Sequence, residues 1–402
     1  MAILTLAGKS LWNRRLTSAL VVFAIALSVA LLLGVERLRT QARTSFAHTL
    51  SGTDLVVGAR GGPINLLLYS VFRIGDPTNN VNWSSYRTLT THPQVAWTIP
   101  LSLGDSHRGF RVLGTSRDYF QHYRYGRDQP LRLAEGREFE DVFDAVLGAE
   151  VADRLGYRPG QSIVIAHGAG EVSFALHDDK PFRVVGILAR TGTPVDQTVH
   201  VSLEGIEAIH ADWRGGAPIP GLRLSAEQVR QLDLTPKTIT AFLVGLKAKT
   251  AIFRLQREIN EFDAEPLLAI LPGLTLQQLW DLMGLAENAL LVVSGLVVLV
   301  GFTVMLAALL TCLNERRREM AILRALGARP GQIFALVLGE SMALALAGAA
   351  FGVLLLQGAL LLAGPMLQAR LGLAIAGWPP SSHELILLAA VLGCGLLAGL
   401  FP

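Results

Sequence analysis

Four long stretches without a charged side chain constrain this chain more than anything else in it. A helix rises about 1.5 Å per residue and the hydrocarbon layer is about 30 Å thick, so roughly 20 apolar residues make a span. Residues 16–35 meet that length, 289–313 exceed it with room for tilt, and 341–369 form a third uncharged run. The third is expected to stay helical to about residue 363, where Gly364-Pro365 breaks it. Residues 385–401 form a fourth, shorter run, and the sequence ends at Pro402. Soluble domains rarely hold even one such run, so the fold class expected is a membrane α-helical protein with four transmembrane helices. No Asp, Glu, Lys or Arg interrupts the runs, which argues against an ion- or proton-coupled path through the bilayer.

Composition agrees. Hydrophobic residues make up 51% of the 402 and charged residues 17%, and a net charge of +3 is too small and too scattered for a nucleic-acid partner. Cys312 and Cys394 both lie inside apolar runs, so no disulfide framework is available to the soluble part. The first run lacks a small-x-small cleavage site with a polar start behind it and is expected to stay in the membrane as a signal anchor. Lys9, Arg14 and Arg15 precede it, and Arg316, Arg317, Arg318, Arg324 and Arg329 fill the link between the second and third runs. Basic residues of short loops stay on the cytoplasmic side, which places the roughly 250 residues between the first two spans outside. The layout is then a cytoplasmic amphipathic segment at 1–15, a first span at 16–35, a stalk at 36–50 and an external domain at 51–272. A second stalk at 273–288 leads to a span at 289–313, a cytoplasmic linking helix at 314–331 and a third span at 332–363 with its cytoplasmic approach. An external loop at 364–384 and a fourth span at 385–402 complete it.

The external residues read as a large α+β domain inserted between helices 1 and 2. β-rich runs recur at 54–58, 95–103, 110–114, 145–148, 162–166, 182–188, 198–203 and 240–246, parted by turn residues such as Arg158-Pro159-Gly160. Helical candidates at 84–91, 149–155, 203–209 and 250–262 interleave with them irregularly, which favours a mixed sheet. Residues 63–72 are strongly apolar, too short to span, and bounded by Gly61-Gly62 and Gly75-Asp76-Pro77. They are either a core element or an apolar lip whose Leu67, Leu68, Val71 and Phe72 touch a client near the membrane surface.

From Thr275 to about Arg318 no proline occurs, which gives on the order of 65 Å of helix against about 30 Å of hydrocarbon. On its external part Leu276, Leu279, Met283, Ala286 and Leu290 recur at spacings of three and four, the rhythm of a coiled-coil seam. Val35, Leu38 and Ala42 continue that rhythm more weakly after the first span. Two helical stalks are therefore expected to join the bilayer to the external domain.

The link at 314–328 reads Asn-Glu-Arg-Arg-Arg-Glu-Met-Ala-Ile-Leu-Arg-Ala-Leu-Gly-Ala. Met320, Leu323 and Gly327 can share one helical face, with Arg317, Arg318 and Arg324 elsewhere around it. Gly327 suits a helix C-cap and Pro330 closes the segment. This stretch resembles the linker of the MacB/FtsX-type (type VII) ABC transporter permeases, whose pattern runs roughly E-R-R-x-E-I-x-x-L-R-A-L-G-A, with Met320 here in place of Ile. Glu340 also falls where that family places a glutamate, and residues 145–148, 159–165 and 182–188 resemble its periplasmic core. The resemblance implies a multi-pass protein of the bacterial inner membrane with its large domain periplasmic, paired with a second permease copy or paralogue. It implies two copies of a separate ABC ATPase that bind ATP and Mg, with no cofactor in this chain, and a periplasmic adaptor or client besides the lipid bilayer. Carried over by position, Glu315, Arg317, Glu319, Leu323, Arg324, Leu326 and Gly327 form the ATPase-coupling surface. The family continues past its fourth span with a basic tail, so a tail is expected to be missing here.

Other motifs fall away. No G-x-x-x-x-G-K-[ST] loop exists, and Gly58-Ala59-Arg60-Gly61-Gly62 lacks the following Lys-Ser/Thr, so ATP is expected on another chain. His383-Glu384 lacks the second histidine of a zinc protease helix. Gly339-Glu340-Ser341-Met342-Ala343 follows no strand, which removes the nucleophile-elbow reading and with it an intramembrane enzyme. The nine histidines are dispersed, and His177-Asp178-Asp179 reads as a solvated loop, so no metal site is assigned. The functional expectation is an ABC permease that converts a partner's ATP hydrolysis into periplasmic shape change for export or extraction. The alternative is a signal relay that activates a periplasmic partner such as a cell-wall hydrolase.

Overall fold

A computed structural model describes residues 15–47, 49–168, 175–214, 217–219, 221, 223–325, 328–371 and 380–400. The chain divides into two compact units, Thr44–Asp281 and the remainder, Met1–Arg43 with Leu282–Pro402.

Among the described residues, four helices are long and apolar enough to cross a membrane, and most of their length lies in the second unit: Arg15–Ala47, Pro272–Ala325, Pro330–Leu371 and Ser382–Leu400. Lipid tails are as apolar as leucine, so helices in a bilayer associate by close packing of small residues rather than by a hydrophobic drive. The third helix shows this on two faces. A Cβ on Gly348 would meet Ile25 Cγ2 at 2.6 Å, and one on Gly352 would meet Ala26 O at 2.7 Å, so this Gly-x-x-x-Gly pair seats the first helix. On the other face Ser341 and Ala345 receive Gly399 and Gly395 of the fourth helix, where an added Cβ on Gly395 would lie 2.6 Å from Ala345 Cβ. The second helix touches the first where Gly301 faces Ser28, whose hydroxyl lies 2.8 Å from Ala24 O and 3.1 Å from Val297 O. Gly352→Leu is expected to lower the melting temperature of the detergent-solubilised chain by the equivalent of about 1–3 kcal/mol. Gly358→Leu, which meets nothing within 4 Å, should leave it unchanged. Equal melting of the two variants would refute this packing.

Two expectations for these helices need correction. The third helix does not break at Gly364-Pro365 but runs on to Leu371. Proline removes one donor, and a membrane helix tolerates that loss where its other backbone bonds persist. Nor is the link a helix of its own. Helix Pro272–Ala325 carries the second span on into it, and Pro330 opens the next helix rather than closing this one.

The other unit is an α+β domain around a twelve-stranded mixed sheet. Its strands are β1 Leu55–Ala59, β2 Val95–His107, β3 Phe110–Thr115, β4 Leu133–Gly136, β5 Asp144–Leu147 and β6 Ser162–Ile163. They continue with β7 Ala166–His167, β8 Ala175–Leu176, β9 Phe182–Leu188, β10 Thr198–Ser202, β11 Ala241–Leu246 and β12 Leu267–Ile270. The order is β12-β1-β11-β2-β3-β10-β5-β9-β4, with β7 paired to both β2 and β8, and β6 to β9. Pairs β3–β10 and β5–β9 are parallel; the other pairs are antiparallel. Central strands such as β5, with Ala145, Val146 and Leu147 all buried, read as continuous apolar runs because both faces are covered.

Residues 63–72 are a core element. Pro63–Val71 is a helix with Gly62 at its N-cap and Pro63 in its first turn. Leu66, Leu67, Tyr69, Val71 and Phe72 are buried in one cluster with Val56, Ile99 and Leu243, and Leu68 packs against it half-buried. A short helix that buries Leu66, Leu67, Tyr69, Ser70 and Val71 belongs inside a domain. Gly58 on β1 admits it, because a Cβ there would lie 2.6 Å from Leu66 Cδ1. The reading of Leu67, Leu68, Val71 and Phe72 as a client-binding lip is corrected accordingly: Leu67, Val71 and Phe72 are sealed in the core and offer a client no surface, and Leu68 is half-buried against it.

Candidate functional site

Of the coupling residues read from the sequence, Leu326 and Gly327 lie outside the described residues, and so do the side chains of Glu315, Arg317, Glu319 and Leu323. Arg324 is described and exposed in the last turn of helix Pro272–Ala325. The stalk residues on the same helix part company. Leu276 packs against the core of the external domain and Leu279 is half-buried, whereas Met283 and Ala286 are exposed. The first helix meets the second there through charge: Glu287 accepts from Arg43 at 2.9 Å and lies 3.9 Å from Arg39.

That contact belongs to a polar band that sequence patterning missed. Arg37, just past the first apolar run, pairs with Glu384 at the start of the fourth helix, Nε to Oε1 at 2.8 Å and a second nitrogen to Oε2 at 3.0 Å. Both side chains are buried. The two-pronged geometry matches the planar fork of arginine to the two carboxylate oxygens. Glu384 is held for this task by its own helix end. Its backbone N–H donates to Ser381 Oγ at 3.2 Å while its carboxylate accepts from Ser381 N at 3.2 Å, a capping box. Glu36 adds contacts to Arg39 and His383 at 3.8 Å each. The sequence signal was Ser-x-x-Glu before an apolar run, but nothing in it names Arg37 as the partner 347 residues away.

In the external domain Asp105, His167, His177 and His210 converge, each offering one ligand atom, with all four atoms within 4.8 Å of one another. Three pieces of local structure bring them together. The β2–β3 register shifts between Leu103 and Ser106, a bulge that leaves Asp105 out of that ladder and opposite His167 of β7. β7 pairs with β8, and His177 follows directly after β8. His210 ends helix Leu203–Ile209 as its C-cap. A buried ion pair ties the last two segments, with Lys180 Nζ donating to Asp212 at 2.9 and 3.0 Å.

Within the cluster His167 Nδ1 lies 3.1 Å from His210 Nε2 and 3.2 Å from Asp105 Oδ1, which is 3.5 Å from His210 Nε2. His210 Nδ1 is 2.9 Å from Ile206 O. A carbonyl only accepts, so Nδ1 carries the proton and Nε2 of the neutral ring points its lone pair inward. His177 Nε2 and Asp105 Oδ1 are buried without a well-formed hydrogen bond. Trp213 walls the site, its ring 5.0 Å from His167 and 4.7 Å from His177. Burial, followed by the charge of His210, pushes His177 down to about 4, so it is neutral near pH 7. Burial alone would raise Asp105, but contacts from His167 and His210 outweigh it and hold the carboxyl down at about 2. His210 is moved upward because Asp105 outweighs its own burial. Of these four the sequence singled out only His177, and as part of a solvated loop; it is instead buried, and spacings of 62, 10 and 33 residues match no local metal motif.

Comparison with known proteins follows the two halves of the chain. A family model described as "MacB-like periplasmic core domain" matches residues 16–261, and one described as "FtsX-like permease C-terminal" matches residues 291–402. No curated protein matches. Among solved structures, the periplasmic region of MacB from Actinobacillus actinomycetemcomitans is similar at 12% identity and a TM-score of 0.33, covering 61% of this chain and 97% of that one. The extracellular domain of the noncanonic ABC-type transporter YknZ from Gram-positive bacteria is similar at 11% identity and a TM-score of 0.33, covering 54% and 99%.

Proposed function

Because this chain belongs to the MacB/FtsX family of ABC transporter permeases, we propose that it relays the motion of a separate ATPase to its periplasmic domain and thereby exports or extracts a client. Permeases of this family work with ABC ATPase partners. In the proposed assembly two ATPase copies supply ATP and Mg, and a second permease copy or paralogue completes the membrane part. The client, with or without an adaptor, meets the periplasmic side. This chain contributes no catalytic residue.

The observation that carries the proposal is one uninterrupted helix, Pro272–Ala325. It begins at residues packed on the external core, crosses as an apolar span, and ends with Arg324 of the basic link. Continuous helix transmits tilt where a flexible linker would absorb it. The absence of charge inside the four apolar runs suits mechanical relay better than a polar conduit. The coupling surface is then Glu315, Arg317, Glu319, Leu323, Arg324, Leu326 and Gly327.

Arg324→Glu combined with Gly327→Trp is expected to uncouple the machine, so that ATP hydrolysis no longer yields transport or the release of client in proteoliposomes. Pull-down of the unaltered chain in mild detergent should recover an ATPase subunit. Undiminished ATPase binding and transport by the double variant would defeat the proposed coupling role of the link.

A further inference from the structure

We propose that Asp105, His167, His177 and His210 form a binding site for one divalent transition-metal ion of the zinc type in the periplasmic domain. Tetrahedral zinc takes nitrogen at about 2.0–2.1 Å and carboxylate oxygen at about 2.0–2.2 Å, which sets its ligands about 3.3–3.5 Å apart. The separations of 3.1, 3.2 and 3.5 Å among Asp105, His167 and His210 bracket that edge. The widest separation, within 4.8 Å, closes by side-chain shifts of about 1.4 Å at most, shared among the ligands.

The donor chemistry selects the class of ion. Three imidazoles and one carboxylate suit zinc and its neighbours, whereas calcium and magnesium want oxygen, and monovalent copper wants thiolate or thioether. Neither cysteine of the chain lies in this domain. The site also has the support that ligating histidines require: His210 donates its outer N–H to Ile206 O, which fixes the ring with Nε2 toward the cluster. His167, 39% exposed at its side chain, and His210 at 24% leave a way in from solvent, while Asp105 and His177 are sealed beneath.

Two buried atoms argue for a missing cation rather than for ordinary packing. His177 Nε2 has no hydrogen-bond partner among the described residues, and Asp105 Oδ1 has only the close approaches of His167 Nδ1 at 3.2 Å and His210 Nε2 at 3.5 Å, neither in hydrogen-bond geometry; burying an unpaired polar atom costs roughly 1–3 kcal/mol. His200 gives the contrast: its Nε2 is likewise unpaired, but its ring lies beside those of Tyr119 and Phe120, and among the described residues it belongs to no group of ligating side chains. With four protein ligands the site is closed, which fits an ion that pins β2, the segment after β8 and the end of helix Leu203–Ile209 together, and not a hydrolytic centre with an open position.

The test uses the untagged full-length chain in detergent, stripped with a chelator and titrated with cobalt(II) and then zinc(II). One cobalt per chain should bind with the strong visible absorption of a tetrahedral ion, and one equivalent of zinc should abolish that absorption. His177→Ala and His210→Ala should each weaken binding at least 100-fold, and Asp105→Asn should weaken it tenfold or more. Circular dichroism melting of the metal-free variants should match that of the metal-free parent, which separates lost ligands from lost fold. Lack of a stoichiometric cobalt spectrum in the unaltered chain would overturn the proposal whatever the variants do. So would binding that persists when His177 and His210 are both removed. The titration needs no ATPase, so its failure would leave the relay reading standing, and the reverse holds.

Discussion

Arg37→Ala is expected to lower the stability of the membrane unit by about 3–5 kcal/mol, because it strands the buried carboxylate of Glu384. The cost comes less from the lost attraction than from leaving a charge without a partner where water does not reach. Glu384→Gln should be milder, since a neutral amide keeps the shape and one acceptor oxygen for Arg37. Exchanging both residues for apolar ones of similar volume, Arg37→Met with Glu384→Leu, should recover most of the loss. Thermal melting in detergent, arranged as a double-mutant cycle, gives the coupling directly. Additive losses across the cycle would show that the pair is not a unit. Function is a separate readout. The pair clips the first helix to the fourth, so a stable apolar swap that relays poorly would assign the ion pair to switching rather than to stability.

Leu67→Glu is expected to prevent the periplasmic domain from folding, with loss of more than about 4 kcal/mol. Leu67 is 1% exposed, inside a cluster that joins helix Pro63–Val71 to β1, β2 and β11. A carboxylate placed there finds no partner and no water. Ile74→Glu supplies the control, three residues past the helix and 45% exposed, and should leave folding intact. Limited proteolysis of membranes bearing each variant distinguishes them: rapid degradation for the first, the parent pattern for the second. A folded, protease-resistant Leu67→Glu chain would restore the lip reading that the burial of this helix has displaced.

The reasons these two sites differ in legibility are physical. Residues 63–72 announce a strongly apolar element, but an apolar run of ten has no polar face to say what it packs against. Only β1, approaching through Gly58, turns it into core. Strands were easier. Residues 182–188 form a strand as expected, and so do 145–148 within a residue, because β-branched runs between turn signals carry their own boundaries. β4 Leu133–Gly136 and β12 Leu267–Ile270 were not anticipated, since four residues at a sheet's edge or end give too little pattern to stand out.

What the residue order determined unaided is the membrane character, the insertion of one large domain after the first span, and the family, through the link at 314–328. These depend on local quantities: apolar length against bilayer thickness, basic residues beside the spans, and a contiguous motif. Tertiary structure alone decided which charge Glu384 faces, which glycines admit a neighbouring helix, and that an aspartate and three histidines spread over residues 105–210 share one point in space. Such groups meet only after a bulge in β2, a strand pairing and a helix end have each been placed. Contacts between residues far apart in the chain are set by packing of the whole domain and leave no periodicity to read.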